Sequence, residues 1–347
     1  MTQPKMPRSR RPSAQTAADR NAGRRMKFTA KTLIMKLATC KDGSRDGQLV
    51  VVSRDLTTAH YATGIASRLQ QALDDWNFIA PQLQDVYEAL NGGKARHPFP
   101  FETAQCMAPL PRAGLWAEGA AYPRPAEGDA GPLLRQGAGD EFLGPCDDIL
   151  AADEALDIDF GAGLAVVTGD VPQAATPEQG LDAVRLLMLV NSVRLRAVED
   201  AVQGHPCAAF GPVAVTPDEL GEAWREGRAH LTLQITCNGR KVGLCDAGAD
   251  MRWHFGQLIA HAARTRRLRA GTLIGGGSVG SPGIERDGRR EWPQGYACIA
   301  DKRAIETAQD GAPATAYLRF GDAIRIEMKG PSGGALFGAI EQTVRRF

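Results

Sequence analysis

The sequence predicts an α+β protein, and three features carry that expectation. Residues 229–237 alternate, with Leu231, Leu233, Ile235 and Cys237 on one face and His230, Thr232, Gln234 and Thr236 on the other, just ahead of Asn238-Gly239. That is a half-buried strand entering a hairpin. Residues 322–328 alternate Ile324 and Ile326 with Arg325 and Glu327 and read as the final strand. Thr176-Pro177-Glu178-Gln179 and Thr216-Pro217-Asp218-Glu219 each put Thr at a cap, Pro at the first helical position and Gln or Glu at the third. Such a box satisfies orphan amides reciprocally, so each predicts a helix start.

Along the chain, residues 1–34 read as a disordered basic extension. Within 1–31, Lys and Arg residues face the single acid Asp19, with too little apolar surface for a core. Transit peptides share this look, but Met26 and Met35 stand close to the first strand, so an upstream start is the plainer explanation. Residues 35–104 read as a small N-terminal domain. Strands are expected at 35–38 and 49–53, then helices at 65–76 and 82–90, separated by Pro81 because it lacks an amide donor. Asn91-Gly92-Gly93 stops the second helix. The Pro-rich stretch 97–112 reads as a linker, and 105–347 as a larger domain. There, 253–269 is amphipathic through Phe255, Leu258, Ile259 and Ala262, ends basic, and is closed by Gly271.

Composition narrows the function classes. The 41 basic and 40 acidic residues leave a net charge of +1, so no global field favours nucleic acid or an anionic membrane. The basic tail has no aromatic stacking platform beside it, which makes nucleic acid an unlikely partner. No apolar run of about 18–20 residues predicts a membrane span. Seven scattered cysteines without a C-x-x-C spacing argue for reduced thiols and a cytoplasmic location. Gly275-Gly276-Gly277-Ser278-Val279-Gly280 formally matches a dinucleotide fingerprint, but Ser281-Pro282-Gly283 follows instead of a helix. A loop that approaches a ligand closely is the better account.

Several segments in order carry a resemblance. Met35-Lys36-Leu37-Ala38-Thr39, Lys41-Asp42-Gly43-Ser44-Arg45-Asp46-Gly47, Phe142-Leu143-Gly144-Pro145, Asp159-Phe160 leading into Ala165-Val166-Val167-Thr168-Gly169-Asp170, Phe255-Gly256-Gln257-Leu258-Ile259-Ala260 and Phe320-Gly321-Asp322 are similar to bacterial fumarylacetoacetate hydrolase family proteins. The resemblance implies a small N-terminal domain followed by a mixed β-roll, usually in a homodimer. It implies cleavage, hydration, isomerisation or decarboxylation of acylpyruvates, β-diketo acids and related 2-oxo acids. The family norm is Mg²⁺ or Mn²⁺ held by carboxylates, hard ligands for hard ions, with a His activating water.

Compared residue by residue, the metal site is degenerate. The family's Glu-x-Glu after Asp-Phe is Gly161-Ala162-Gly163, its Asn-Asp is Asn191-Ser192, and its first Asp is Glu118. The water-activating His aligns with Pro125, the pocket Tyr with Arg135, the Lys before Pro with His205, the pocket Thr with Ser278, and the Glu of Ile-Ala-Glu with Asp301. One carboxylate cannot replace an oxygen cage, so no metal cofactor is predicted. Two readings follow. In the first, a metal-free enzyme acts on a keto or carboxylate compound, with His205, Ser278 and Arg135 catalytic and Arg196, Gln136, Arg124 and Asp301 binding substrate, because a guanidinium fork binds carboxylate without an ion. In the second, the protein is a non-catalytic ligand-binding or scaffolding family member. A His beside Pro in a shortened loop is more often exposed than catalytic, so convergence of Arg135, Arg196, His205 and Ser278 on one pocket discriminates the two.

Overall fold

In the computed structural model, β1 (Lys36–Cys40), β2 (Gln48–Val52) and β3 (Thr58–Tyr61) form an antiparallel meander that accounts for the first apolar runs. Residues 32–123, 131–287, 289–330 and 333–347 are described; the basic stretch 1–31, Arg124 and Pro125 lie outside them. Both faces of β1 and β2 are covered. Leu37, Leu49 and Val51 pack with helices α1 (Leu69–Asp74) and α2 (Trp76–Asn91), while Ala38, Val50 and Val52 enter the larger core. Two-sided burial explains why these strands read as continuous hydrophobic runs.

Two expectations about this region are corrected. The helices divide at Asp75 (φ −130°, ψ 48°), and Pro81 sits inside α2. Pro81 forfeits one backbone bond there, offset by burial of its neighbours Ala80 and Leu83. Stretch 97–112 is also more than a linker. β4 (Phe99–Pro100) pairs with β3, Met107 N donates to Thr39 O at 2.9 Å, and Thr39 Oγ1 donates to Pro109 O at 2.6 Å.

The remaining strands are β5 (Trp116–Gly119), β6 (Leu134–Gly137), β7 (Ile149–Ala151), β8 (Ile158–Asp159), β9 (Ala162–Thr168), β10 (Val184–Leu195), β11 (Cys207–Phe210), β12 (Ala214–Val215), the short hairpin β13 (Trp224–Arg225) and β14 (Arg228–Ala229), β15 (Thr232–Cys237), β16 (Arg240–Asp246), β17 (Thr272–Ser278), the hairpin β18 (Ile284–Arg286) and β19 (Arg289–Glu291), β20 (Ala323–Lys329) and β21 (Ala335–Arg346). One sheet runs β4-β3-β2-β1-β12-β10-β9-β17-β5-β6, so the N-terminal meander continues directly into the larger segment. A second runs β16-β15-β20-β21-β7. Leu233, Ile235, Ile324, Ile326 and Ile340 of the second share a core with Leu164, Val166, Leu187 and Leu189 of the first. The architecture is α+β, with few and short helices.

The hairpin at Asn238-Gly239 forms as the sequence predicts, both residues taking positive φ (51° and 74°). α3 (Pro177–Asp182) has its full capping box, Gln179 N to Thr176 Oγ1 at 3.3 Å and Thr176 N to Gln179 Oε1 at 2.9 Å. The matching signal at Thr216 also starts a helix, but a 3-10 one, Pro217–Ala223, broken at Gly221 and without the side-chain cap, the Thr216 Oγ1 accepting instead from Met35 N at 3.1 Å. α4 (Phe255–Ala262) is shorter than its amphipathic pattern, since the chain turns to bond Leu268 N to Val171 O. β20 is not the last strand: β21 pairs with it, its alternation interrupted at Gly338 (φ 75°).

Lys36 fastens these parts together. Its buried Nζ donates to Arg54 O at 2.9 Å and Ala335 O at 3.1 Å, and lies 3.7 Å from Glu219 Oε1, itself buried. Burial lowers the ammonium pKa, with Glu219 opposing. Lys36→Ala removes this donor from Arg54 O and Ala335 O and leaves the Glu219 carboxylate without its cation, still accepting from the Tyr87 hydroxyl. A loss of about 3–5 kcal/mol in urea unfolding is expected, as for a buried pair with one partner removed.

Candidate functional site

Strands β5, β6, β9, β10, β11 and β17 carry or adjoin most of the aligned positions. β5 carries Glu118, and its antiparallel neighbour β6 places Arg135 directly across from it and Gln136 across from Ala117. β10 carries Ser192 and, two residues on, Arg194 on the same face. His205 stands just ahead of β11, which pairs with β10 through Ser192 and Ala208. Ser278 ends β17 opposite Gly163 of β9.

The polar groups form a closed chain. Ser192 Oγ donates to Glu118 Oε1 at 2.5 Å, Arg194 Nη2 donates to Glu118 Oε2 in a buried ion pair, and Arg194 Nη1 meets His205 Nε2. His205 Nδ1 lies 3.0 Å from Ala201 O. A carbonyl oxygen only accepts, so Nδ1 carries the proton and the Nε2 lone pair faces the Arg194 N–H. Burial and the adjacent guanidinium hold the imidazole pKa below its usual value. The neutral ring therefore orients Arg194, and its one basic lone pair is spent in doing so.

Arg135, Gln136 and His205 line one cavity with Trp116, Glu118 and Ser192, its volume only about 10 Å³, room for about one water. Ser278 lies behind its wall: a Cβ built on Gly161 would stand 2.9 Å from Ser278 Oγ and 3.4 Å from Ser192 Cβ. Two expected substrate-binding residues lie elsewhere. Arg196 donates through Nε to buried Asp159 Oδ2 at 2.9 Å, and Asp159 also accepts from Ile299 N and Ala300 N, fixing the start of α5 (Ile299–Asp310). Its guanidinium is committed to that carboxylate. Asp301, on the first turn of α5, faces a separate cavity with Trp292 and Tyr296. Arg124 lies outside the described residues.

Arg194 was missing from the sequence-based set, although the period of two from Ser192 places it on the same face. Asn191, by contrast, is structural: Gly161 N donates to its Oδ1 at 3.0 Å and its Nδ2 donates to Gln342 Oε1 at 3.0 Å.

These residues do not fit a divalent metal. The one aligned carboxylate, Glu118, already holds a guanidinium, and no group of three His, Cys, Asp or Glu side chains among the described residues is placed to hold an ion. The two glycines aligned with the Glu-x-Glu also leave no room for a side chain. A Cβ on Gly163 would lie 2.3 Å from the Gly277 carbonyl oxygen, and one on Gly161 2.9 Å from the Ser192 carbonyl oxygen.

Residues 115–345 match the model of the fumarylacetoacetate (FAA) hydrolase C-terminal domain, and residues 35–112 that of fumarylacetoacetase N-terminal domain 2. The chain belongs to the fumarylacetoacetate hydrolase family. Among solved structures it is similar to a probable 2-hydroxyhepta-2,4-diene-1,7-dioate isomerase from Mycobacterium abscessus (19% identity, TM-score 0.65, covering 91% of this chain and 99% of that one). It is also similar to maleylpyruvate hydrolase from Sphingobium sp. SYK-6 (18%, TM-score 0.62, 90% and 100%) and fumarylacetoacetate hydrolase from Exiguobacterium antarcticum (17%, TM-score 0.64, 90% and 100%). At these identities the likeness establishes the fold. No curated protein matches the sequence.

Two outcomes test the site. Arg194→Met leaves Glu118 buried without its cation and is expected to cost about 3–5 kcal/mol of unfolding free energy, most of it regained in Glu118→Gln/Arg194→Met; equal losses in single and double variants would refute the pairing. Because the folded state lowers the pKa of His205, and likewise of His254, the unfolded chain binds more protons below about pH 6.5. Stability should therefore fall as pH drops through that value, and His205→Gln should flatten the slope in pH-resolved urea melts.

Proposed function

We propose that this chain is a family member that has given up metal-dependent C–C bond hydrolysis and binds a small carboxylate or 2-oxo acid without a metal. The observation that carries this reading is the Arg194 guanidinium seated on Glu118: the chain supplies its own cation beside the aligned carboxylate. His205 supports the non-catalytic side, because its only basic lone pair is directed at Arg194. The cavity of about 10 Å³ is too small for a carboxylate ligand, so that ligand would sit outside it against Arg135, which is exposed at the mouth and offers the fork a carboxylate needs.

The ligand class follows the relatives. A maleylpyruvate hydrolase structure, 17% identical, contains manganese(II) and pyruvate, and an anionic oxo acid is what Arg135 would select. A metal-free enzyme is the second reading; the neutral imidazole of His205 shares the cavity with Arg135, but Arg196 and Ser278 do not line it, so the convergence that reading requires is not met. Catalysis by His205 would require Arg194 to release Nε2.

Calorimetric titration with pyruvate, oxaloacetate and an acylpyruvate, in EDTA and in Mg²⁺, tests both readings. Binding is expected to be equal in the two buffers and about tenfold weaker in Arg135→Ala, the scale of one charged hydrogen bond, with no turnover. Mg²⁺- or Mn²⁺-dependent cleavage would overturn the proposal, and turnover in EDTA that disappears in His205→Gln would establish the second reading. The combined Gly161→Glu, Gly163→Glu and Ser192→Asp variant should not recover metal-dependent activity, because the Gly277 carbonyl stands where the Gly163 side chain would begin.

A further inference from the structure

Sequence spacing sets Cys40 and Cys106 far apart, yet the fold makes them direct neighbours. They form an antiparallel bridge between the end of β1 and the stretch after β4. The flanking bonds run from Lys41 N to Gln105 O at 2.8 Å and from Met107 N to Thr39 O at 2.9 Å. Bonds on both sides of a facing pair, and none within it, define the non-hydrogen-bonded site, where opposite Cα atoms stand about 4.5 Å apart with side chains on one face. That spacing lies within the roughly 4.4–6.8 Å range of disulfide-bonded cysteines.

The thiols are also matched chemically. The Cys106 S–H reaches the Glu102 carbonyl oxygen at 3.5 Å, and the proximity of the two thiols holds that of Cys40 below its usual pKa and raises that of Cys106. Burial instead pushes Cys207 up to about 12 and Cys245 to about 11, and raises Cys237 too. Of these five thiols only that of Cys40 is lowered, and Cys40 keeps 7% exposure while Cys106 keeps 1%. An attacking sulfur with a small opening and a resolving thiol at its back are the parts of a redox-responsive pair.

We propose that Cys40 and Cys106 are a peroxide-sensitive dithiol that closes to a disulfide. The Cys40 sulfur attacks hydrogen peroxide, forming an S–O bond as the O–O bond breaks and water leaves. The Cys106 sulfur then attacks the Cys40 sulfenic acid; the S–S bond forms, the S–O bond breaks, and hydroxide departs with the Cys106 proton as a second water. Two thiols are oxidised and one peroxide is reduced. The new bond would fasten β1 to the stretch that leads into β5, and so to Glu118.

Treatment of the reduced full-length protein with equimolar hydrogen peroxide, followed by alkylation in denaturant and peptide mass mapping, tests this. The expected result is a Cys40–Cys106 linked peptide with two hydrogens lost, reversed by dithiothreitol, with a thermal midpoint several degrees above that of the reduced protein and the same link in Cys146→Ser. Alkylation of both thiols after treatment, over-oxidation of Cys40 with Cys106 still alkylatable, or a link through Cys146 would each overturn it.

Discussion

The buried carboxylate of Glu118 sets the terms for the rest of this site. A charge placed between β5 and β10 demands a partner, and β10 supplies Arg194 from the same strand face as Ser192. Once that pair forms, His205 is drawn in to hold the second guanidinium nitrogen, and Ala201 O fixes its tautomer. Each group is satisfied by the next, which is why the cavity beside them is small. The arrangement of these four side chains thus follows from one electrostatic requirement.

Strand positions with local signals were legible in the sequence. Asn238-Gly239 and the Thr176 box announce themselves through residues within four positions of each other, and the first two strands through their apolar runs. Thr216 carries the same signal as Thr176 but spends its hydroxyl on Met35 N, a contact 181 residues away in sequence. Pro81 was misjudged for a related reason, because burial of Ala80 and Leu83 outweighs one missing bond. β21 escaped notice because Gly338 interrupts its alternation.

The candidate site was legible in part. Aligning residues with the family pointed to Glu118, Arg135, Gln136, Ser192 and His205, and these do meet. Arg196 was drawn from the same alignment, yet Asp159, buried at the start of α5, takes it away. Arg194 carries no signal in the family alignment, because it aligns with no ligand position and reaches Glu118 only through the strand period from Ser192. The cysteine pair was invisible for the opposite reason: no short spacing marks it, and only the register of β1 against the stretch after β4 brings the two thiols together.

Gly163 gives the molecule a direction in evolutionary time. The β17 backbone lies so close that the Gly277 carbonyl oxygen stands 2.3 Å from where a Cβ would be. A reverting mutation would meet a clash before it offered a carboxylate, and the strand would have to move first. On the proposed reading that contact would act as a ratchet, because changes at Arg194 and Arg135 meet no such backbone clash while a side chain at Gly163 does.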